Sequence, residues 1–390
     1  MKIKQSSFDA FLIMLVMFVT ILPTLIAKQL VILSLSFLAV RIITSKDIFF
    51  YVKQKIIIFI LLIPGILGVI FFTPENLVRF SGILLIVLGF PFSSFKIKHF
   101  SIMVLSTLIL LYLIATQILM LQGNQILLNF RDIAYHYELS YVHRYGISDD
   151  IIKNALNFNY GTVRSGGLYS NPNALAGIVV IYFFIFDISW KYFDQIISYD
   201  KKKLNKYFYC SIFLLVLFCL MQTKSKTYLI AFSIYIILQY LDVINLLKLK
   251  IKKKLILPLI LVAGIFSLIF QKVMDGIFLK GGSVNIKYSI LFNYLENISI
   301  FNLIFGGTFE ANYFDTEYGY WIGTSGLLGI VAFFIFYIMV YRFLPQSKAL
   351  LISLLLISFG ASLFYNLLLV SILIPLFVIL LSSSKKLKND

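Results

Sequence analysis

Runs of apolar residues follow one another along almost the whole chain, parted mostly by short polar segments. They cover 8–27, 29–44, 56–73, 77–94, 100–121, 172–190, 207–222, 227–246, 255–271, 320–341, 349–366 and 367–382. Most approach the roughly 20 residues that a helix needs to cross about 30 Å of hydrocarbon. The runs are continuous rather than alternating, which excludes a closed β-barrel, the other structure able to satisfy its backbone within a bilayer. The pattern predicts an all-α fold: a polytopic transmembrane helix bundle of about twelve spans, forming a single integral membrane domain over 1–390. Two polar stretches, 122–171 and 272–318, are much longer than the other connections and are expected to be external loops that carry function. Within the second, 287-KYSILFNYLENISIFNLIF-305 has partly helical apolar spacing, as expected of an amphipathic helix lying at the interface.

Composition sharpens this picture. Of 390 residues, 60% are hydrophobic and 13% charged, about half the charged share of a soluble domain. The net charge of +17 is unevenly distributed. With a cytoplasmic N-terminus, the inner segments hold 23 of the 34 basic residues against 7 acidic ones, and the outer segments hold 11 against 10. This is the positive-inside pattern, and an even number of spans returns the C-terminus to the cytoplasm as well. No basic stripe interleaved with aromatics falls on a soluble segment, so nucleic acid is not an expected partner; the bilayer is. The first run, from Phe8, is longer than a signal-peptide core and is expected to be retained. Cys210 and Cys219 share one run on different faces, and are expected to be inert buried thiols rather than a disulfide or a metal site.

On the nearly neutral outer face each cation needs an explanation, because a charge at the mouth of a bundle pairs with an anion, snorkels or lines a polar cavity. Arg164 opens 164-RSGGLYSNPNALAG-177, whose glycines and Asn-Pro-Asn describe a tight turn into a helix capped at Asn171, with Pro172 in its first turn. Such a helix start offers backbone N–H groups to an anion. Lys224 and Lys226 sit in a second turn, 223-TKSKTYL-229. The first loop is rich in tyrosine (Tyr135, Tyr137, Tyr141, Tyr145, Tyr160 and Tyr169), which suits sugar faces or the membrane interface. In the same loop, His136 and His143 would share one side of a helix.

The stretch RSGGLYSNPNALAG resembles the signature of the O-antigen polymerase and O-antigen ligase superfamily. The resemblance continues in the TKSK turn, with Lys226 where the family has arginine, and in Lys287 as a basic residue of the second loop. It ends in 306-GGTFEANYFDTEYGYWIGTSGLLGI-330, a glycine pair before a Gly-Leu-Leu-Gly helix. It spans about 164–330. It implies metal-independent glycosyl transfer without a cofactor, on the outer face of a bacterial cytoplasmic (inner) membrane. The donor would be an undecaprenyl-diphosphate-linked oligosaccharide, with a chain-length regulator and a flippase as further partners. In that chemistry Arg164, Lys224, Lys226 and Lys287 would stabilise the departing diphosphate. Lysine in place of arginine keeps the charge and loses the bidentate fork. Asn171, Asn173 and Tyr169 would line the substrate side of the first loop. The family's ligases place a histidine near the end of the second loop; here 315-DTEY-318 stands there, so Asp315 or Glu317 would act as the base, with Arg164 completing the catalytic set.

Polymerisation of lipid-linked repeat units is the expected activity. Ligation to lipid A-core is the alternative that the missing histidine disfavours. A lipid-linked oligosaccharide flippase, the reading from another class, is disfavoured by the scarcity of mid-span charges: Asp9, Arg79 and Asp187 all fall near span ends.

Overall fold

The first two apolar runs form α1 (Gln5–Val19) and α2 (Thr24–Ile43). Among the described residues the break falls at 20–22, earlier than the expected boundary near 28; Pro23 follows in the sequence, and proline is accepted at a helix start but not in its interior. In this computed structural model the described residues are 5–22, 24–43, 56, 60–63, 66–67, 99–143, 165–167, 169, 172–194, 202–240, 295–306, 317–343, 348–360 and 372–380. The runs expected at 77–94 and 255–271, most of 56–73, and the candidates Arg164, Asn171, Lys287 and Asp315 lie outside them.

The remaining helices are α3 (His99–Leu121), α4 (Gln125–His143), α5 (Pro172–Asp194), α6 (Lys202–Thr223), α7 (Lys226–Tyr240), α8 (Ile300–Phe305), α9 (Glu317–Phe343) and α10 (Lys348–Gly360). Residues 372–380 are also helical. All regular structure among the described residues is therefore helical. α3 and α5 are long and apolar enough to cross a membrane; the 23 residues of α3 reach about 34 Å at 1.5 Å per residue.

The chain divides into two compact units: 1–43, 92–229 and 367–390 in one, 44–91 and 230–366 in the other. In the first unit α5 packs chiefly on α3 and α6, α1 on α2, and α4 on α3. The seam between α5 and α6 is aromatic, with Phe186 stacked on Tyr209 at 5.7 Å and Trp190 on Phe208 at 5.7 Å.

Among the described residues of the first long loop, α4 occupies 125–143. The chain reverses from α3 into it through Gly123, at φ 81°. Its N–H donates to the Met120 carbonyl and that of Asn124 to the Leu119 carbonyl, both at 3.0 Å. The Asn124 side chain then caps α4 by accepting from Leu127 N–H at 3.3 Å. His136 is exposed on this helix. Cys219 is buried in α6, whereas Cys210 is exposed, contrary to the expectation of two buried thiols; nine residues of helix place them on different faces, only one of which is buried.

Of the three charges expected near span ends, Arg79 lies outside the described residues, and Asp9 and Asp187 are buried and paired. Asp9 of α1 accepts from Arg41 Nε at 2.7 Å and from its terminal nitrogen at 3.2 Å. Asp187 of α5 accepts from Lys191 Nζ at 2.7 Å and from the Tyr209 hydroxyl at 2.8 Å. Replacing Asp9 by Asn should strand the Arg41 charge and cost about 3 kcal/mol, while Asp9→Leu with Arg41→Met should be close to neutral. Thermal unfolding of the detergent-solubilised protein measures both, and a destabilised double variant would contradict the account.

In the second unit α8 packs on α9, and α10 on α9. The run expected as one span at 320–341 is broken: α9 kinks at Gly326, whose φ 62° and ψ −159° are not helical. That backbone region is open essentially only to glycine. Gly306, at φ 78° and ψ −150°, closes α8 in the same region. α8 exposes Ile300, Phe301, Ile304 and Phe305, so within the expected interfacial stretch the described residues form a short apolar helix with an open face.

Candidate functional site

Three helix ends and one tight turn converge at one end of the first unit. The turn is Ser165–Tyr169, the start of the stretch that Arg164 precedes. Its backbone reverses at Gly167, with φ 58°, the left-handed region that favours glycine. A side chain there would also meet Thr116 Oγ1 at 3.4 Å and Leu175 Cδ2 at 3.6 Å, so the turn lies directly on α3 and α5. Tyr169 N–H closes it on the Gly166 carbonyl at 2.9 Å.

Tyr169 anchors the turn to α1. Its ring is buried and its hydroxyl donates to the Thr20 carbonyl. Burial pushes the phenol well above its ordinary pKa, with the Tyr182 and Tyr112 phenols adding to the effect, so it stays a neutral donor. This corrects its expected role: a buried ring presents no face to a sugar. Tyr182 of α5 reaches the same place, donating to the Met17 carbonyl at 2.7 Å and sharing a hydrogen bond with the Thr20 hydroxyl.

The turn is also tied to α6. Ser165 N–H donates to the Gln222 carbonyl at 3.5 Å, one residue before the TKSK turn. Gln117 of α3, fully buried, sends its Nε2 to the Ser165 carbonyl at 3.3 Å and to the Cys219 carbonyl at 3.2 Å. Both acceptors are carbonyls, which fixes the orientation of the amide. The Gln117 Oε1 is buried without a hydrogen-bond partner. A buried acceptor left unmade costs about 1–3 kcal/mol, so an apolar side chain of the same length would be preferred at 117 if packing were all that mattered.

Beyond that junction, α6 ends at Thr223, whose hydroxyl caps the Leu220 carbonyl at 2.7 Å. Lys224 follows at φ 51°, a left-handed backbone that a lysine seldom adopts. Its side chain is exposed, as is that of Lys226 at the first residue of α7. Asn173 is half-buried in the first turn of α5.

The second unit holds the other expected candidates, described by itself. Glu317 is the first residue of α9. A Cβ on Gly326 would lie 2.3 Å from the Ile304 carbonyl oxygen and 2.6 Å from Gly306 N. The two glycine elements that bracket 307–325, Gly306 and the Gly-Leu-Leu-Gly segment, therefore touch backbone to backbone. In the sequence, Asp315 and Glu317 fall between these two elements.

Sequence reasoning found the RSGG and TKSK turns but missed Gln117 and Thr20. A glutamine inside an apolar run was the available signal for the former; a threonine near a helix end is too common to be one for the latter. The described residues thus define an all-helical protein, with two helices long enough to span a membrane and a polar turn locked among its helix ends. Comparison with protein-family models, with curated proteins and with solved structures finds no match.

Proposed function

We propose that the chain is a multi-pass protein of a bacterial cytoplasmic membrane. In this reading it polymerises lipid-diphosphate-linked oligosaccharides on the outer face, as O-antigen polymerases do. The observation that carries this reading is the junction of the RSGG and TKSK turns through Ser165 N–H and the Gln222 carbonyl. Two sequence-distant elements, singled out for their cations, meet at one helix end, as a clamp for a single anion requires. Lys224 adds weight: a non-glycine residue held at φ 51° marks a place where backbone strain is tolerated for the sake of a side chain's position.

The membrane assignment rests on the distribution of surface. α3 exposes Phe100, Val104, Leu108, Leu111 and Leu119 along one stripe, α1 exposes Phe11 and Phe18, and α2 exposes Leu33 and Phe37. The interior meanwhile holds Asp9, Arg41, Gln117 and Asp187. Apolar residues outward and paired polar groups inward is the arrangement hydrocarbon favours.

In the proposed reaction an acceptor hydroxyl attacks the donor's anomeric carbon and a new glycosidic C–O bond forms. The bond to the lipid diphosphate breaks, and its electron pair leaves as negative charge on the diphosphate. Arg164, Lys224 and Lys226 meet that charge, with Lys287 as the cation of the second loop. Asp315 or Glu317 takes the hydroxyl proton. Asn173, at the start of α5, contributes a polar group beside the same turn.

Deleting the gene in its native host and restoring it on a plasmid tests the proposal. A surface-glycan ladder of repeat lengths should collapse to a single repeat on deletion and return on complementation. Loss of all surface glycan, with lipid-linked units trapped at the cytoplasmic face, would replace polymerisation by transport.

A further inference from the structure

We infer that Gln117 is a positioning residue: its buried amide staples the Ser165 turn to the end of α6, holding the two cationic turns as one mouth. The inference rests on the polymerase reading for its functional half, and on geometry alone for its structural half. Gln117 lies on α3 and belongs to neither turn, yet its one NH2 group reaches a carbonyl on each side, Ser165 at 3.3 Å and Cys219 at 3.2 Å. Without it, the turn and α6 are joined here by the Ser165–Gln222 hydrogen bond, which at 3.5 Å is at the weak limit. The staple is retained although Oε1 stays buried and unpartnered. The two N–H groups are both spent on the two segments while the oxygen goes unpaired, the pattern of a side chain that joins them. The neighbours of the stapled atoms in the chain are the candidates themselves. Arg164 precedes Ser165 by one residue, and Lys224 follows Gln222 by two.

The test measures the join directly. In a background with Cys210 and Cys219 replaced by serine, Ser165→Cys and Gln222→Cys place one thiol on each of the two residues joined by the backbone hydrogen bond. In membranes exposed to a thiol oxidant, cross-linking should be fast with Gln117 and roughly tenfold slower with Gln117→Met, which keeps the length and loses both donors. The ladder of repeat lengths should shorten in Gln117→Met and recover when the disulfide is formed, a covalent bond then replacing the amide. The same disulfide should not rescue Asp9→Asn, whose lesion lies elsewhere in the unit; rescue of both would mean general stabilisation and overturn the positioning role. Cross-linking at the wild-type rate in Gln117→Met would also overturn it. If Gln117→Met fails to accumulate, Gln117→Glu, which offers at most one donor, is put through the same two measurements. A host in which the wild-type gene restores no ladder would refute the polymerase reading, and the cross-linking rate would still decide the staple.

Discussion

Arg164→Ala is expected to collapse the ladder of repeat lengths to a single unit while the protein remains in the membrane at its normal level. The residue directly after it, Ser165, is held by its N–H to Gln222 and by its carbonyl to Gln117, so the chain at this point has little freedom to move. In the proposed reaction, a cation next to this held residue would need little reordering to meet a developing anion. Removing one fixed donor from such a site typically lowers turnover by about 10²–10³-fold. Arg164→Lys should retain part of the activity, because the charge survives and the fork that grips two oxygens does not. Lys226→Ala should have the smaller effect, since its exposed ammonium is screened by solvent. Gel analysis of surface glycan, with immunoblotting of the membrane fraction, reads all three. A full ladder from Arg164→Ala would remove the residue from the diphosphate clamp.

Gly326→Ala is expected to prevent the second unit from reaching its native packing, at about 4 kcal/mol or more. Two effects add. The backbone at φ 62° and ψ −159° is closed to an L side chain. The new methyl would also stand 2.3 Å from the Ile304 oxygen and 2.5 Å from its carbonyl carbon, atoms of a main chain that cannot rotate aside. Gly123→Ala separates the two contributions, because Gly123 has φ 81° but nothing within 4 Å of its would-be Cβ. It should cost only the conformational part, roughly 1–2 kcal/mol. The thermal midpoints of both variants in detergent make the comparison, with membrane accumulation as a second measure. Equal losses would mean that α8 and α9 do not approach as closely as described.

Much of the helical layout was legible in the pattern of apolar residues. His99–Leu121 and Pro172–Asp194 begin within a residue of the expected boundaries, because a histidine after Lys96 and Lys98 and an Asn-Pro step are strong local punctuation. The break at Pro23 and the kink at Gly326 were misjudged by the same apolar count. Both lie inside runs that are apolar on average, and hydropathy does not register backbone conformation. The 122–171 stretch was read as a polar loop, yet its first part is helical over 125–143. That helix is only weakly apolar, and it begins where the α3 reversal supplies an asparagine cap.

The candidate site divides along the same line. The two turns were visible because glycine, asparagine, proline and lysine cluster there between apolar runs and stand out against them. Tyr169 shows the limit: its type suggested a sugar platform, and its surroundings made it a buried donor to α1. Asp9 and Asp187 were placed near span ends, and only the fold paired them with Arg41 and Tyr209; the Lys191 partner of Asp187 lies one turn along the same helix.

What the sequence determined by itself was the class of structure, all-helical and richly apolar, and the short list of residues whose charge or backbone freedom demanded a reason. Those properties are local: a helix satisfies its own backbone, and a run of apolar side chains reports its length without reference to any partner. What only the tertiary structure decided was which of these pieces meet. The bond from Ser165 to Gln222, the amide of Gln117 between two carbonyls, and the contact of Gly326 with Gly306 all join segments far apart in the chain. Such contacts depend on the three-dimensional placement of whole helices, and no periodicity within a single helix encodes it.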